Sequence, residues 1–148
     1  MTHFFKQGLS PQKLALTLVL GLTLGVVPFV GINTLLLSFL AVVFRLNLIA
    51  IQIVNYSVYP LQIVLYIPFM KAGQYIFNGP EVAFTMRELI DRMRDGWLDT
   101  VVDIWYNNML GLVVWLAISI PVGFLVYWYS LPIFKRYYPG KEEIVSKP

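Results

Sequence analysis

Three long apolar stretches dominate the pattern of hydrophobic and polar positions along this chain. They cover residues 14–44, 46–70 and 109–134. A proline lies near the middle of each stretch, and glycine or asparagine accompanies it in the first two. Because proline cannot donate the backbone hydrogen bond that an interior helix residue donates, the pattern predicts helices with breaks inside them. The predicted structural breaks are Pro28, Gly31, Pro60 and Pro121.

The breaks divide the first two stretches into short helical arms. Ser10 and Pro11 are typical of a helix start, with serine as the N-cap and proline at the first helical position. We expect helices near residues 11–27, 31–44, 46–54 and 60–70. At about 1.5 Å per residue, the last three reach roughly 13 to 21 Å, short of a hydrocarbon core of about 30 Å. Arms of this length are typical of re-entrant or interfacial segments.

The placement of charges favours hairpins over full crossings in those two stretches. If each break turns the chain back within the membrane, Lys13, Arg45 and Lys71 share one aqueous face, which the positive-inside rule assigns to the cytoplasm. If the arms instead cross near residues 32–54 and 60–76, three arginines are left on the outer side. We therefore expect two broken, re-entrant-like hairpins in the inner membrane, with the basic loops cytoplasmic.

The third apolar stretch leaves two arrangements open. It is long enough to cross once with a kink at Pro121, and Trp128 between two tyrosines is typical of a membrane interface. The basic pair Lys135 and Arg136 at its end instead favours a bent return. The predicted units are a membrane domain with two broken hairpins (1–78), an amphipathic interfacial helix (79–107), a C-terminal transmembrane helix (108–134) and a polar tail (135–148).

The amphipathic helix is predicted by apolar residues that recur at helical spacing between positions 82 and 104. We expect it to lie on the membrane or against the hairpins, with a break at Asp95 and Gly96. Four aspartates spaced four apart form an acidic ridge on it, which we interpret as a solvated face rather than a Mg²⁺ site. They are Asp91, Asp95, Asp99 and Asp103.

Composition makes lipid, rather than water, the solvent for most of the chain. Of the 148 residues, 58% are hydrophobic and 13% are charged, against roughly 45–50% apolar and about 25% charged in soluble domains. The net charge of +3 comes from basic residues that flank the apolar runs singly, so we interpret them as membrane anchors and expect no nucleic-acid partner. The expected class is an all-α integral membrane protein.

The residue types that most enzymes use are scarce. The chain has no cysteine, a single histidine at position 3 and no glycine-rich phosphate loop. Catalytic triads and thiolate or histidine metal sites therefore lack their usual ligands. We expect no enzymatic activity, no cofactor and no metal site.

Polar side chains in apolar surroundings gather near the breaks and are the candidates for a binding site. They are Asn33, Thr34, Asn47, Gln52, Asn55 and Gln62. Irregular backbone at membrane depth is tolerated only where protein or a wet cavity surrounds it, as in the broken helices of transporters. The alternative is that these amides only cap the ends of half-helices and bond one another.

One charge and two glycines also stand out in the first half of the chain. Arg45 is the only charged residue between Lys13 and Lys71. It is a candidate ligand for a lipid phosphate or a similar anion, and the alternative is a snorkelling anchor at the turn between the hairpins. Gly21 and Gly25 form a small-residue pair that predicts close helix packing.

Positions 8–73 also contain an ordered set of glycine, proline and polar residues. They are Ser10, Pro11, Gly21, Gly25, Pro28, Gly31, Arg45, Asn47, Asn55, Pro60, Tyr66 and Gly73. In this order they resemble the domain-of-unknown-function 2062 family of small bacterial membrane proteins. Relatives usually carry asparagine directly before proline and then threonine, whereas residues 56–59 separate Asn55 from Pro60 here. The resemblance implies a membrane protein without an established activity, some relatives being joined to glycosyltransferase domains.

These features favour an integral membrane binding or transport module for an anionic substrate of the kind carried on a lipid. The expected substrate-binding residues are Asn33, Arg45, Asn47 and Asn55. The competing hypothesis is a non-catalytic accessory or structural subunit of a larger membrane complex. Because short arms leave backbone ends that must be covered, we expect a homo-oligomer or a complex, with membrane lipids as further partners.

Overall fold

A computed structural model describes residues 10–29, 31–79 and 86–137, and within these ranges the chain forms helices and no strands. The helices are α1 (Pro11–Gly25), α2 (Ile32–Val43), α3 (Leu48–Ser57), α4 (Tyr59–Phe77) and α5 (Met86–Tyr137). The expected all-α class is confirmed. The predicted polar tail lies outside the described residues, except for its first three positions, which continue α5.

Helices α1 and α2 form an antiparallel pair. Ser10 caps α1 as predicted, since its hydroxyl accepts the backbone N–H of Lys13 at 3.4 Å. The Lys13 ammonium donates to the Arg45 carbonyl at 3.1 Å, which joins the start of α1 to the residues that follow α2. At the opposite end, the Asn33 amide donates to the Gly25 carbonyl at 3.1 Å. These two bonds show that the chain reverses direction between α1 and α2.

Helix α3 packs parallel to α1 through the two predicted packing glycines. A Cβ placed on Gly21 meets the Val54 side chain at 2.6 Å, and one placed on Gly25 meets the side chain of Val58. Larger residues at either position would force the two helices apart. The glycine pair therefore sets the distance between α1 and α3, with Leu37, Ala41, Leu46 and Ile51 filling the core beside it.

The second apolar stretch does not form the expected closed hairpin. Helices α3 and α4 meet at Val58 with a bend of 56° between them, and α4 packs on α5 rather than back on α3. Val58 keeps right-handed helical φ and ψ, and its carbonyl accepts the Gln62 N–H at 2.9 Å, so the helical hydrogen bonds continue across the bend. Pro60 removes one N–H, which is enough to kink a helix but not to reverse it.

Helix α5 spans 52 residues and consists of two helical segments joined by a kink at Gly96, whose φ and ψ are non-helical. The break expected at Asp95 and Gly96 is therefore present. The break expected at Pro121 is wrong, because the helix continues through it and through Pro132. The fixed φ of proline suits a helix, and the loss of a single N–H leaves the neighbouring turns intact. The bent return considered for the third stretch does not occur.

Helix α5 packs on α1 and on α4, and it runs antiparallel to α1. The indole N–H of Trp115 donates to the Thr23 carbonyl at 3.0 Å, and Gly123, about two turns further along α5, lies against Val19. Nearer its start, α5 crosses α4, where the Tyr66 hydroxyl bonds Asn108 at 3.0 Å. The C-terminal end of α5 therefore lies toward the end of the fold that holds Lys13.

The outside of this assembly is strongly apolar. Leu35 is 74% exposed, Phe39 65%, Ile63 61% and Ile120 67%. Among the described residues, Arg87–Tyr137 is long and apolar enough to span a membrane, and the bent pair α3 and α4 satisfies the same test when taken together. The short helix α2 does not reach that length.

Candidate binding cleft at the helix breaks

A cleft of about 250 Å³ lies where the first break meets the bend between α3 and α4. Its lining comes from the first turn of α2 and from the residues on either side of the bend. The lining residues are Gly31, Asn33, Thr34, Asn55, Tyr56 and Tyr59. The fold thus brings both predicted breaks to one place, with Asn33 and Asn55 on the same cleft.

Backbone carbonyls at the first break determine how two buried amides are oriented. A carbonyl oxygen only accepts hydrogen bonds, so the amide group facing it must be the NH₂. The Asn33 NH₂ donates to the Gly25 carbonyl, and the Gln62 NH₂ donates to the carbonyls of Val27 at 2.8 Å and Phe29 at 3.4 Å. Both side-chain oxygens therefore face away from the break.

A second chain of bonds orients Asn55 in the same way. The Gln52 NH₂ donates to the Thr34 carbonyl at 3.1 Å and to the Ser38 hydroxyl at 3.0 Å, which leaves the Gln52 oxygen as an acceptor. The Asn55 NH₂ donates to that oxygen at 3.2 Å. The Asn55 oxygen is consequently left over, as the oxygens of Asn33 and Gln62 are.

These leftover oxygens are the unusual chemical feature of the site. The side-chain oxygens of Asn33, Asn55 and Gln62 are buried and have no hydrogen-bond partner among the described residues. Only 5%, 2% and 1% of these three residues is exposed, respectively. A buried polar atom without a partner costs about 1 to 3 kcal/mol, and because the protein encloses these oxygens, a donor can reach them only when the surrounding side chains move.

The structure does not bring Arg45 and Asn47 to this cleft. Asn33 lies in the first turn of α2 and Arg45 lies just beyond its last turn, about 18 Å away along a helix of 12 residues. Asn47 is the N-cap of α3, where its side-chain oxygen accepts the Ala50 N–H at 3.0 Å. The four predicted substrate-binding residues therefore form two groups at opposite ends of α2.

Arg45 itself occupies an unusual backbone conformation. Its φ is 53°, in the left-handed region that glycine adopts most easily, and its side chain is exposed. The Leu46 N–H bonds back to the Ala41 carbonyl at 2.7 Å, which closes the end of α2 in the manner of a C-terminal capping turn. Arg45 thus lies at the surface near Lys13, whose ammonium bonds its carbonyl, and we call this end of the fold, with Lys13 and Arg45, the basic end.

Sequence reasoning missed two residues that line the cleft, Tyr56 and Tyr59, and the contact by which Gln62 supports the break beside it. Gln62 was noted as a polar residue near a break, but its two bonds to a break on another helix follow only from the tertiary packing. Tyr56 and Tyr59 line the cleft and were treated only as a spacer between Asn55 and Pro60. Their position directly on either side of the bend was the available signal.

The acidic ridge lies away from this site on the first half of α5. Asp91, Asp95 and Asp99 are exposed and Asp103 is half-buried. Within the described parts of the chain, no group of three or more histidine, aspartate or glutamate side chains is placed to hold a metal ion.

Comparison with known proteins extends the resemblance noted from the sequence. The model of the family described as uncharacterized protein conserved in bacteria (DUF2062) matches residues 1–142. The chain belongs to this family. The DUF2062 match covers nearly the whole chain, including α5, whereas the residues that carried the resemblance lie between positions 8 and 73. No curated protein and no solved structure matches the chain.

Proposed function

We propose that this protein is an integral membrane binding or transport module whose ligand occupies the cleft at the helix breaks. The observation that carries the proposal is that the two helix breaks meet at one cleft, which is lined by the buried amide residues Asn33 and Asn55. Transporters commonly hold their substrates at broken helices of this kind. An apolar exterior such as that of Leu35 and Phe39 fits a lipid environment.

The geometry supports a mixed topology for this module. Helices α1 and α2 are about 22 and 18 Å long, too short to cross, so the antiparallel pair enters and leaves on one side. The bent pair α3 and α4 crosses to the other side, and α5 crosses back. Both ends of the described chain then lie on the side of Lys13.

Charge supports the cytoplasm as that side. Lys13 and Arg45 lie together there, and the antiparallel course of α5 carries Lys135 and Arg136 toward them. The opposite side holds as many of the described basic residues, namely Lys71, Arg87, Arg92 and Arg94. The number of lysines and arginines therefore does not separate the two sides, and the assignment rests on the grouping of basic residues at the helix ends beside Lys13. Inner-membrane localisation belongs to the same proposal.

In this arrangement an anionic group binds at the basic end and not in the cleft. Arg45 and Lys13 lie where lipid phosphates would be, and a guanidinium pairs well with phosphate. Arg45→Gly removes the charge and suits the left-handed backbone, so it tests the charge without straining the fold. We expect reduced co-purification of anionic lipid with folding retained, and unchanged lipid content would show that Arg45 is only an anchor.

The second candidate function is an accessory or structural subunit, and one observation favours it. The amide nitrogens of Asn33 and Gln62 cap the carbonyls of the first break, as expected if these residues serve only to close the fold. In that case a partner subunit or a second copy covers the exposed apolar surface. The two candidates differ in whether water reaches the cleft.

Cysteine labelling in native membranes separates them, because the chain has no cysteine of its own. Thr34 lines the cleft, whereas the neighbouring Leu35 is 74% exposed on the apolar exterior. We expect a membrane-impermeant maleimide to label Thr34→Cys and to leave Leu35→Cys unlabelled. Equal lack of labelling at both positions, with both proteins inserted, would reject the binding module and favour the accessory subunit.

A further inference from the structure

The part of α5 that precedes the kink at Gly96 is exposed on nearly all sides. We call residues 86–95 the leading segment of α5. Among its described side chains only Leu89 is partly buried, whereas Ile90 is 46% and Met93 45% exposed. The sequence left two places for an amphipathic helix here, on the membrane or against the hairpins. This exposure excludes packing of the leading segment against the other described helices.

The leading segment has an apolar stripe and a charged face. Successive residues of an α-helix differ by about 100° around its axis, so Leu89, Ile90 and Met93 lie within an arc of about 100°. The charged residues occupy the rest of the circumference. They are Arg87, Glu88, Asp91, Arg92, Arg94 and Asp95. A narrow apolar stripe opposite a strongly charged face is typical of a helix that lies in the plane of a membrane surface.

The charges of the leading segment balance one another. Three arginines face three carboxylates, and two opposite pairs are spaced four residues apart, Arg87 with Asp91 and Glu88 with Arg92. A segment without net charge gains little from the electrostatic attraction that draws basic helices to anionic lipid. The apolar stripe therefore decides what covers this segment.

The length of α5 brings the stripe to the edge of the bilayer. A straight helix of 52 residues is about 78 Å long, whereas a bilayer with its head groups is about 45 Å thick. The C-terminal end of α5 lies toward Lys13, so the excess length lies at the leading segment. A straight course would hold the stripe in water, but the kink at Gly96 allows the segment to turn onto the bilayer.

The stripe is also continuous with the apolar exterior of the crossing part of α5. Exposed apolar side chains follow one another from Trp105, which is 61% exposed, through Val101 at 49% and Trp97 at 60% to Met93. Tryptophan is enriched at membrane interfaces, where its ring meets lipid and its N–H meets water. The lipid that covers the crossing part therefore borders the stripe.

From these observations we infer that the leading segment lies on the lipid head-group layer of the side opposite Lys13. Leu89, Ile90 and Met93 enter the lipid, and the charged face, including Asp91 and Asp95 of the acidic ridge, remains in water. The inference rests on the proposed function, since it requires that α5 crosses the membrane. Because the segment carries no net charge, it requires no anionic lipid.

The test is the depth of single spin labels in the purified full chain, reconstituted in phosphatidylcholine bilayers with and without phosphatidylglycerol. Met93→Cys carries the label on the stripe, and Asp91→Cys is the matched control, about 160° away around the helix. Both side chains are exposed in the fold, so the protein alone shields neither. We expect the ratio of collisions with lipid-soluble oxygen to collisions with a water-soluble nickel chelate to be at least about fivefold higher at position 93, in both lipids.

Three results would overturn the inference. Similar ratios at the two positions, with nickel reaching both, would place the leading segment in water. Shielding of Met93→Cys from both reagents would show that a second copy of the chain covers the stripe. A contrast that appears only with phosphatidylglycerol would show that the arginines, and not the stripe, attach the segment.

A label at Ile120→Cys separates these results from a failure of the proposed function. Ile120 is 67% exposed on the crossing part of α5. Nickel access to this label would show that α5 does not cross, so the proposed topology would fail together with the inference. If oxygen alone reaches position 120 while nickel reaches positions 91 and 93 alike, the crossing stands and only the surface position of the leading segment is wrong.

Discussion

The first and second breaks look alike in the sequence, yet one reverses the chain and the other only bends it. Both combine proline with asparagine in an apolar run. At the first, five residues separate the last residue of α1 from the N-cap of α2, which is Gly31 with a φ of 95°. At the second, Val58 alone separates two helices and keeps helical φ and ψ.

The difference shows that proline alone does not determine the angle of a break. Reversal requires several residues to leave the helix and requires partners for the carbonyls that are thereby freed. The first break has those partners in Asn33 and Gln62. The second needs none, because helical hydrogen bonds such as Gln62 N–H to Val58 O continue across it.

The largest expected effect is on topology, and it is all-or-none. If the first break reverses the chain and the second only bends it, Arg45 and Lys71 lie on opposite sides of the membrane. We expect impermeant maleimide to label Arg45→Cys from the cytoplasmic side only and Lys71→Cys from the outer side only. Lys13→Cys is the matched control and should behave like Arg45→Cys. Labelling of positions 45 and 71 from the same side would restore the two-hairpin arrangement.

Loss of the Gln62 amide should destabilise the first break strongly. Gln62→Leu removes the donor to the Val27 and Phe29 carbonyls; the Val27 carbonyl keeps the Phe29 N–H at 2.7 Å, so one carbonyl is left unpaired, at a cost of about 1 to 3 kcal/mol. We expect a loss of roughly 2 kcal/mol in the free energy of unfolding, measured by titration from mild detergent into dodecyl sulfate. Ser57→Ala at the second break should change it by less than about 0.5 kcal/mol. Similar values for the two variants would refute the contrast.

Gly31 should matter through its backbone conformation alone. A Cβ at this position meets nothing within 4 Å, so Gly31→Ala introduces no clash, but it must adopt a φ of 95°. A left-handed conformation costs a non-glycine residue about 1 to 2 kcal/mol. We expect a loss of that size in the same unfolding titration. Gly31→Asn should lose less, because asparagine tolerates this region better; equal stability of all three proteins would show that the reversal does not depend on Gly31.

The smallest effect on stability is expected from Pro60. Pro60→Ala supplies the missing N–H to the helix at the bend, so α3 and α4 should straighten while stability changes by less than about 1 kcal/mol. Spin labels at the exposed positions of Ile49 and Ile67 report the angle as a distance. A longer distance in the Pro60→Ala background is expected. An unchanged distance would mean that the packing of α4 on α5, and not the proline, fixes the bend.

Local chemistry made part of the fold predictable. Ser10 and Pro11 start α1, and Gly31 ends the first break, because capping and left-handed backbone depend on residue type and immediate neighbours. The spacing of Gly21 and Gly25 likewise predicted a close helix contact, but it did not identify α3 as the helix in contact. The break predicted at Pro121 is wrong, because proline removes a single N–H and its own φ is helical. The surrounding turns therefore decide whether the helix continues.

The candidate site was only half predictable. Asn33 and Asn55 were recognisable as polar residues beside breaks, and the structure places both on one cleft. Arg45 was grouped with them because it is the only charge in the region, but α2 separates it from the cleft by its whole length. Distance along a helix can be read from the sequence once the helix bounds are known. Which helix ends meet depends on the direction of each break.

The residues alone predict an apolar, all-helical chain with breaks at Pro28 and Pro60 and with amides beside them. Hydrophobic pattern and backbone chemistry are local, so they can be read without knowing the fold. Three features follow only from the tertiary packing: Gln62 bonds the carbonyls of the first break, Asn33 and Asn55 line one cleft, and α4 continues away from α3. These features depend on contacts between residues distant in sequence, and such contacts exist only once the helices have packed.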